Sequence, residues 1–123
     1  MTDKRSLRNG YKQSFVPIGV FAIRNTVNQR VYVGGSRNLE GAINRHRFEL
    51  TSGSHRNADL LADWKRFGAD VFRFEVLDRV RQSTDPDVDY DAELATLLAL
   101  WTEELPCHGE RGYNGPALPR ALR

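Results

Sequence analysis

The sequence predicts an α+β fold: a small, mostly antiparallel three-stranded sheet flanked by helices, in the order β-β-α-α-β-α. Three patterns carry that expectation. Two runs rich in β-branched and aromatic residues, 16–24 and 30–35, flank a turn-forming cluster, Asn25-Thr26-Val27-Asn28-Gln29. Two stretches then repeat apolar residues at helical spacing, each with an asparagine before it and a glycine after it. An alternating run at 71–77 is followed by a long apolar helical segment.

Taken in order, the first two runs make a β-hairpin. Leu39, Ile43, His46 and Leu50 follow at spacings of four, three and four, one face of a first helix, with Asn38 as its cap and Gly53 where it stops. A second helix over 57–67 carries Leu60, Leu61, Trp64 and Phe67 and ends at Gly68. The run 71–77 reads as a half-buried strand, and 82–89 as a polar loop containing Pro86. The third helix, 90–105, is apolar on most faces, which predicts a place at the centre of the core, and Pro106 ends it. Residues 1–15 read as a basic N-terminal arm, 16–115 as the folded domain and 116–123 as a C-terminal tail.

A chain of 123 residues suits one domain, and 40% hydrophobic with 28% charged residues suits a globular one. No run approaches the roughly 20 apolar residues of a membrane span, so no membrane partner is expected. The first fifteen residues lack the apolar stretch of a secretory signal. Cys107 is alone, which excludes an intrachain disulfide and a cysteine-based zinc cluster and leads to an expected cytoplasmic location. Residues 1–56 carry ten Lys/Arg against three Asp/Glu, and 57–123 carry eight against thirteen. A basic first half points to a polyanionic partner.

The hairpin carries a more specific signal. Gly19-Val20-Phe21 is followed after ten residues by Tyr32-Val33-Gly34, and this pair resembles the signature of the GIY-YIG endonuclease superfamily. Ser36-Arg37-Asn38-Leu39 leading to His46, then Ser54-His55-Arg56-Asn57, the Leu60/Trp64/Phe67-Gly68 helix, the 72–77 strand and Gly112-Tyr113-Asn114 match in order. The run 44–50 is similar to a bacterial subgroup of small members that lack the usual helix arginine. The resemblance implies hydrolysis of a DNA phosphodiester. In such enzymes a hairpin tyrosine helps generate the nucleophile, a helix arginine stabilises charge, and a glutamate on the third helix holds a divalent metal. An anionic transition state needs such cations beside it.

Mapped onto this chain, the resemblance keeps Tyr32 but places Phe21, Ala42 and Leu98 where a tyrosine, the arginine and the glutamate are expected. Phe21 has no hydroxyl, Ala42 no charge, and Leu98 no oxygen for a hard cation. Losing one charge-stabilising donor commonly costs about 10²–10³ in rate. The first reading is therefore a DNA-associated protein of this family with a degenerate or weakly active phosphodiesterase site. The second is an active Mg²⁺- or Mn²⁺-dependent endonuclease with relocated groups, Tyr32, Arg45 and His46. Glu93, Glu103 and Glu104 are then the carboxylates in reserve. The third is a non-enzymatic module that binds a protein partner or itself. Arg37, Arg47, His55 and Arg56 are the candidate nucleic-acid contacts, and Gly19, Gly34 and Asn114 the structural residues of the motif. Ala42 and Leu98 are expected to meet beside Tyr32 on an apolar surface.

Overall fold

The computed structural model describes residues 16–115, so the expected basic arm (1–15) and tail (116–123) lie outside the described residues. The elements are β1 (Gly19–Asn25), β2 (Val31–Ser36), α1 (Leu39–Ser52), α2 (Ala58–Phe67), β3 (Phe72–Arg79) and α3 (Tyr90–Glu104). Short 3-10 turns occupy Ala69–Val71 and Gly109–Arg111. The predicted order holds. The boundaries shift a little: residues 16–18 precede the first strand, Asn57 caps α2 from outside it, and β3 runs on to Arg79.

The sheet has the order β2-β1-β3 with both pairings antiparallel, Phe21 opposite Gly34 on one side and Val76 on the other. With two neighbours, β1 is buried along its whole length except at Arg24. Backbones pass closely at its start. A Cβ on Gly19 would stand 2.1 Å from the Asp78 carbonyl oxygen of β3, so only glycine fits there. The free edge of β2 is covered by the segment after α3: Tyr113 N–H donates to Val31 O at 2.9 Å. Asn114 clamps Val33 with both ends of its amide, accepting from the N–H at 2.9 Å and donating to the C=O at 2.8 Å. This closes an otherwise unpaired edge.

Strand alternation divides the core between the two faces of the sheet. Phe21, Ile23 and Phe72 pack with Leu39, Ala42 and Leu50 of α1, Leu60 and Trp64 of α2, and Tyr113. Val20, Ala22, Val31 and Val33 pack on the other face with Cys107, against Leu94, Leu97, Leu98 and Trp101 of α3. The expected central place of α3 is corrected by this arrangement. None of its residues is buried, and Leu100 is 60% exposed. It is an outer layer, with the sheet on one side and no described element on the other, so its apolar residues are covered on one side only. No helix among the described residues is long and apolar enough to cross a membrane.

The helices start and stop where the capping residues stand. Asn38 accepts from Gly41 N–H and Asn57 from Leu60 N–H, both at 3.0 Å, while Gly53 closes α1 in the left-handed conformation at φ 82°. Asn38→Ala is expected to cost about 1 kcal/mol of stability, the usual worth of such a cap. Urea unfolding measures it, and an unchanged midpoint would refute the cap's contribution.

Candidate active site

A cleft of about 440 Å³ opens between β2, α1 and the loop leading into α2. It is lined by Tyr32, Arg45, His46, Glu49, His55, Arg56 and Asn57. Each element brings its residue for a local reason. Tyr32 faces the α1 side of the sheet beside Phe21, with ring centroids 6.2 Å apart. Gly34 makes room for both rings, since a Cβ there would stand 2.9 Å from Phe21 and 3.1 Å from Tyr32. On α1, residues 45, 46 and 49 share one side by helical spacing. Gly53 then turns the chain back, and the loop carries His55 to His46.

The two histidines are the centre of the cleft wall. His46 Nδ1 and His55 Nε2 are 2.7 Å apart, and Asn57 N–H donates to His55 Nδ1 at 3.0 Å. The His46 ring also lies 5.3 Å from Phe21 and 5.4 Å from Tyr32, centroid to centroid. Burial depresses the His46 imidazole from 6.5 to about 4, helped by neighbouring His55 and Arg45 and opposed by Glu49. His55 is lowered as well, chiefly by burial. The Tyr32 phenol is raised by burial, with Arg45 pulling it partly back. At neutral pH the cleft therefore presents a phenol, neutral imidazoles and the guanidinium groups of Arg45 and Arg56.

The structure thus brings together Tyr32, Arg45, His46, His55 and Arg56 from the residues singled out in the sequence. It places Arg37 and Arg47 elsewhere. Arg37 pairs with Asp91 of α3 at 3.2 Å, and Arg47 lies 4.4 Å from the Phe74 ring centroid. Glu49 and Asn57 are cleft residues that the sequence reading missed. Glu49 was within reach, three and four residues from His46 and Arg45. The sequence places Asn57 at the start of the second helix and in the family match, with no sign of a cleft role.

The expected meeting of Ala42 and Leu98 is corrected. Ala42 is buried between α1 and the sheet, whereas Leu98 packs on the opposite face under α3. The cleft beside Tyr32 is lined by the polar side chains of Arg45, His46, Glu49, His55, Arg56 and Asn57. Phe21 is buried in the same cluster as Ala42 and reaches the cleft only as support for Tyr32 and His46. Glu93, Glu103 and Glu104 are exposed on α3 and do not line the cleft.

A divalent metal is implied by the resemblance, and the donor set does not fit one. Mg²⁺ and Mn²⁺ prefer several oxygen ligands, and the cleft supplies one carboxylate, Glu49. Among the described residues no three His, Cys, Asp or Glu side chains are grouped to hold a metal ion.

Comparison with known proteins agrees with this architecture. Residues 17–93 match the family model of the GIY-YIG catalytic domain. Intron-associated endonuclease 1 of enterobacteria phage T4 is 31% identical over 96 residues, which are 78% of this chain and 36% of that protein. The chain therefore spans about a third of that relative's length. Among solved structures, the catalytic domain of homing endonuclease I-TevI is similar at a TM-score of 0.65 and 27% identity, covering 82% of this chain and 99% of that one. A mutant of the catalytic domain of intron endonuclease I-TevI gives a TM-score of 0.65 at 26% identity, covering 80% and 92%.

Proposed function

The chain belongs to the GIY-YIG catalytic-domain family, and from that premise we propose that it binds DNA through the Tyr32–Arg45–Arg56 cleft while cleaving phosphodiesters slowly at best. One observation carries the reading: the cleft keeps a cationic, hydrogen-bonding wall but has a single carboxylate, Glu49. Guanidinium groups recognise phosphate through charge-assisted hydrogen bonds. The anionic transition state of hydrolysis needs more fixed positive charge than binding does, and Ala42 and Leu98 supply none.

Binding of this kind releases counterions, so affinity for duplex DNA should fall steeply between 50 and 200 mM salt, by about tenfold or more for each two or three phosphates contacted. Arg45→Ala and Arg56→Ala should each weaken binding several-fold and flatten the salt dependence. Fluorescence anisotropy on labelled duplexes measures this. Affinity indifferent to salt, or unaffected by both substitutions, would sink the proposal.

Arg45 gives a second reading its one specific support, because it lines the same cleft as Tyr32. If Arg45 stands in for the missing helix arginine, purified protein should nick supercoiled plasmid with Mg²⁺ or Mn²⁺, and Arg45→Ala should abolish nicking. Plasmid left intact with both metals leaves the binding reading alone.

A further inference from the structure

The hydrogen bonds of the histidine pair fix where its protons sit. A backbone amide can only donate, so the Asn57 N–H makes His55 Nδ1 an acceptor. A neutral imidazole with an acceptor Nδ1 carries its hydrogen on Nε2, and His55 Nε2 is the atom 2.7 Å from His46 Nδ1. His46 Nδ1 is then the acceptor of that bond, which leaves the His46 hydrogen on its own Nε2. No described residue bonds to His46 Nε2. The ring lines the cleft.

We infer that His55 is a positioning residue: held by the Asn57 backbone, it locks His46 as the Nε2–H tautomer and so provides a fixed neutral donor for a phosphate oxygen in the cleft. The lock follows from the hydrogen-bond chain alone. The phosphate part rests on the DNA-binding reading above. The charged and titratable groups around the pair are Arg45 and Glu49 on α1, Arg56 in the loop and Tyr32 on β2. Arg45 disfavours a second positive charge on either ring, and a cationic His55 would turn its Nδ1–H against the Asn57 N–H. A neutral donor suits a diester phosphate, since it bonds without having to lose a proton as pH rises through the neutral range.

Nitrogen-15 NMR of the imidazoles in the full chain tests both parts. In the native protein at neutral pH, His46 Nδ1 should give a pyridine-like signal and Nε2 a pyrrole-like one. His55→Leu should mix the tautomers. His55→Gln, whose amide also donates, should restore the native pattern. Titration with duplex DNA should move the His46 Nε2 signal, and His55→Leu should weaken DNA binding about fivefold, the worth of one hydrogen bond, with recovery in His55→Gln. A hydrogen on His46 Nδ1 in the native protein, or a tautomer unchanged by His55→Leu, overturns the lock. DNA bound with no movement of Nε2 overturns the donor role. The predicted tautomer together with no DNA binding overturns the proposed function and leaves the lock standing.

Discussion

Asp63→Ala is expected to lower the free energy of unfolding by about 3 kcal/mol, because it strands a largely enclosed cation. Asp63 Oδ2 accepts from the Tyr113 hydroxyl at 2.7 Å, Arg30 at 3.2 Å and Asn28 at 3.3 Å. Arg30 also donates to the Gly112 carbonyl at 2.9 Å, lies over the Tyr113 ring at 4.4 Å and leaves its Nε buried without a partner. Tyr113 in turn accepts from Asn25 at 3.2 Å. Burial holds the Tyr113 phenol up at about 12, so its hydroxyl stays a donor across the neutral range.

Four pieces of chain meet in this network: the end of β1, the hairpin turn, α2 and the segment that covers the edge of β2. Removing the carboxylate leaves the Arg30 charge to Asp59, 3.7 Å away and mostly exposed, which compensates only in part. Asp63→Asn keeps an acceptor and should cost clearly less. Urea unfolding at neutral pH measures both variants. A change below about 0.5 kcal/mol for Asp63→Ala would show the network to be incidental to stability.

Acid should destabilise the fold in a window set by the histidine pair. The folded His46 titrates at about 4, against 6.5 when free. Between those values the unfolded chain binds a proton that the folded chain refuses, so stability present above pH 6.5 is lost as pH falls toward 4. A gap of that size corresponds to about 3 kcal/mol when fully developed. His55, also lowered, acts in the same direction. Thermal unfolding at pH 7 and pH 4.5 should show the loss, and His46→Phe should flatten it whatever its stability at neutral pH. Equal losses in the two proteins would assign the acid sensitivity to other groups.

The histidine pair also shows how far the sequence could be read toward a site. His46 stood on an apolar helical stripe and His55 in a polar loop, nine residues apart. Each was a reasonable candidate alone, but their contact depends on the turn at Gly53 and the way the loop folds back. Arg37 and Arg47 had the same chemical promise as Arg45 and Arg56. The first is drawn to Asp91, fifty-four residues away, and the second to Phe74. Nothing near them in sequence announces either partner.

By itself the sequence determined the local elements and the chemical groups that each position can offer. The hairpin, the asparagine caps and the glycine stops arise from backbone geometry and hydrogen bonds spanning a few residues, so their causes are written beside them. Phe21, Ala42 and Leu98 likewise lack a hydroxyl, a charge and an oxygen whatever surrounds them. Tertiary structure alone decided that β1 is the central strand, that α3 is an outer layer, that Ala42 and Leu98 pack on opposite faces, and that Glu49 and Asn57 join the cleft. The reason is physical: burial and pairing between distant segments depend on which faces meet, and an apolar helix or a basic side chain carries no mark of which face it will find.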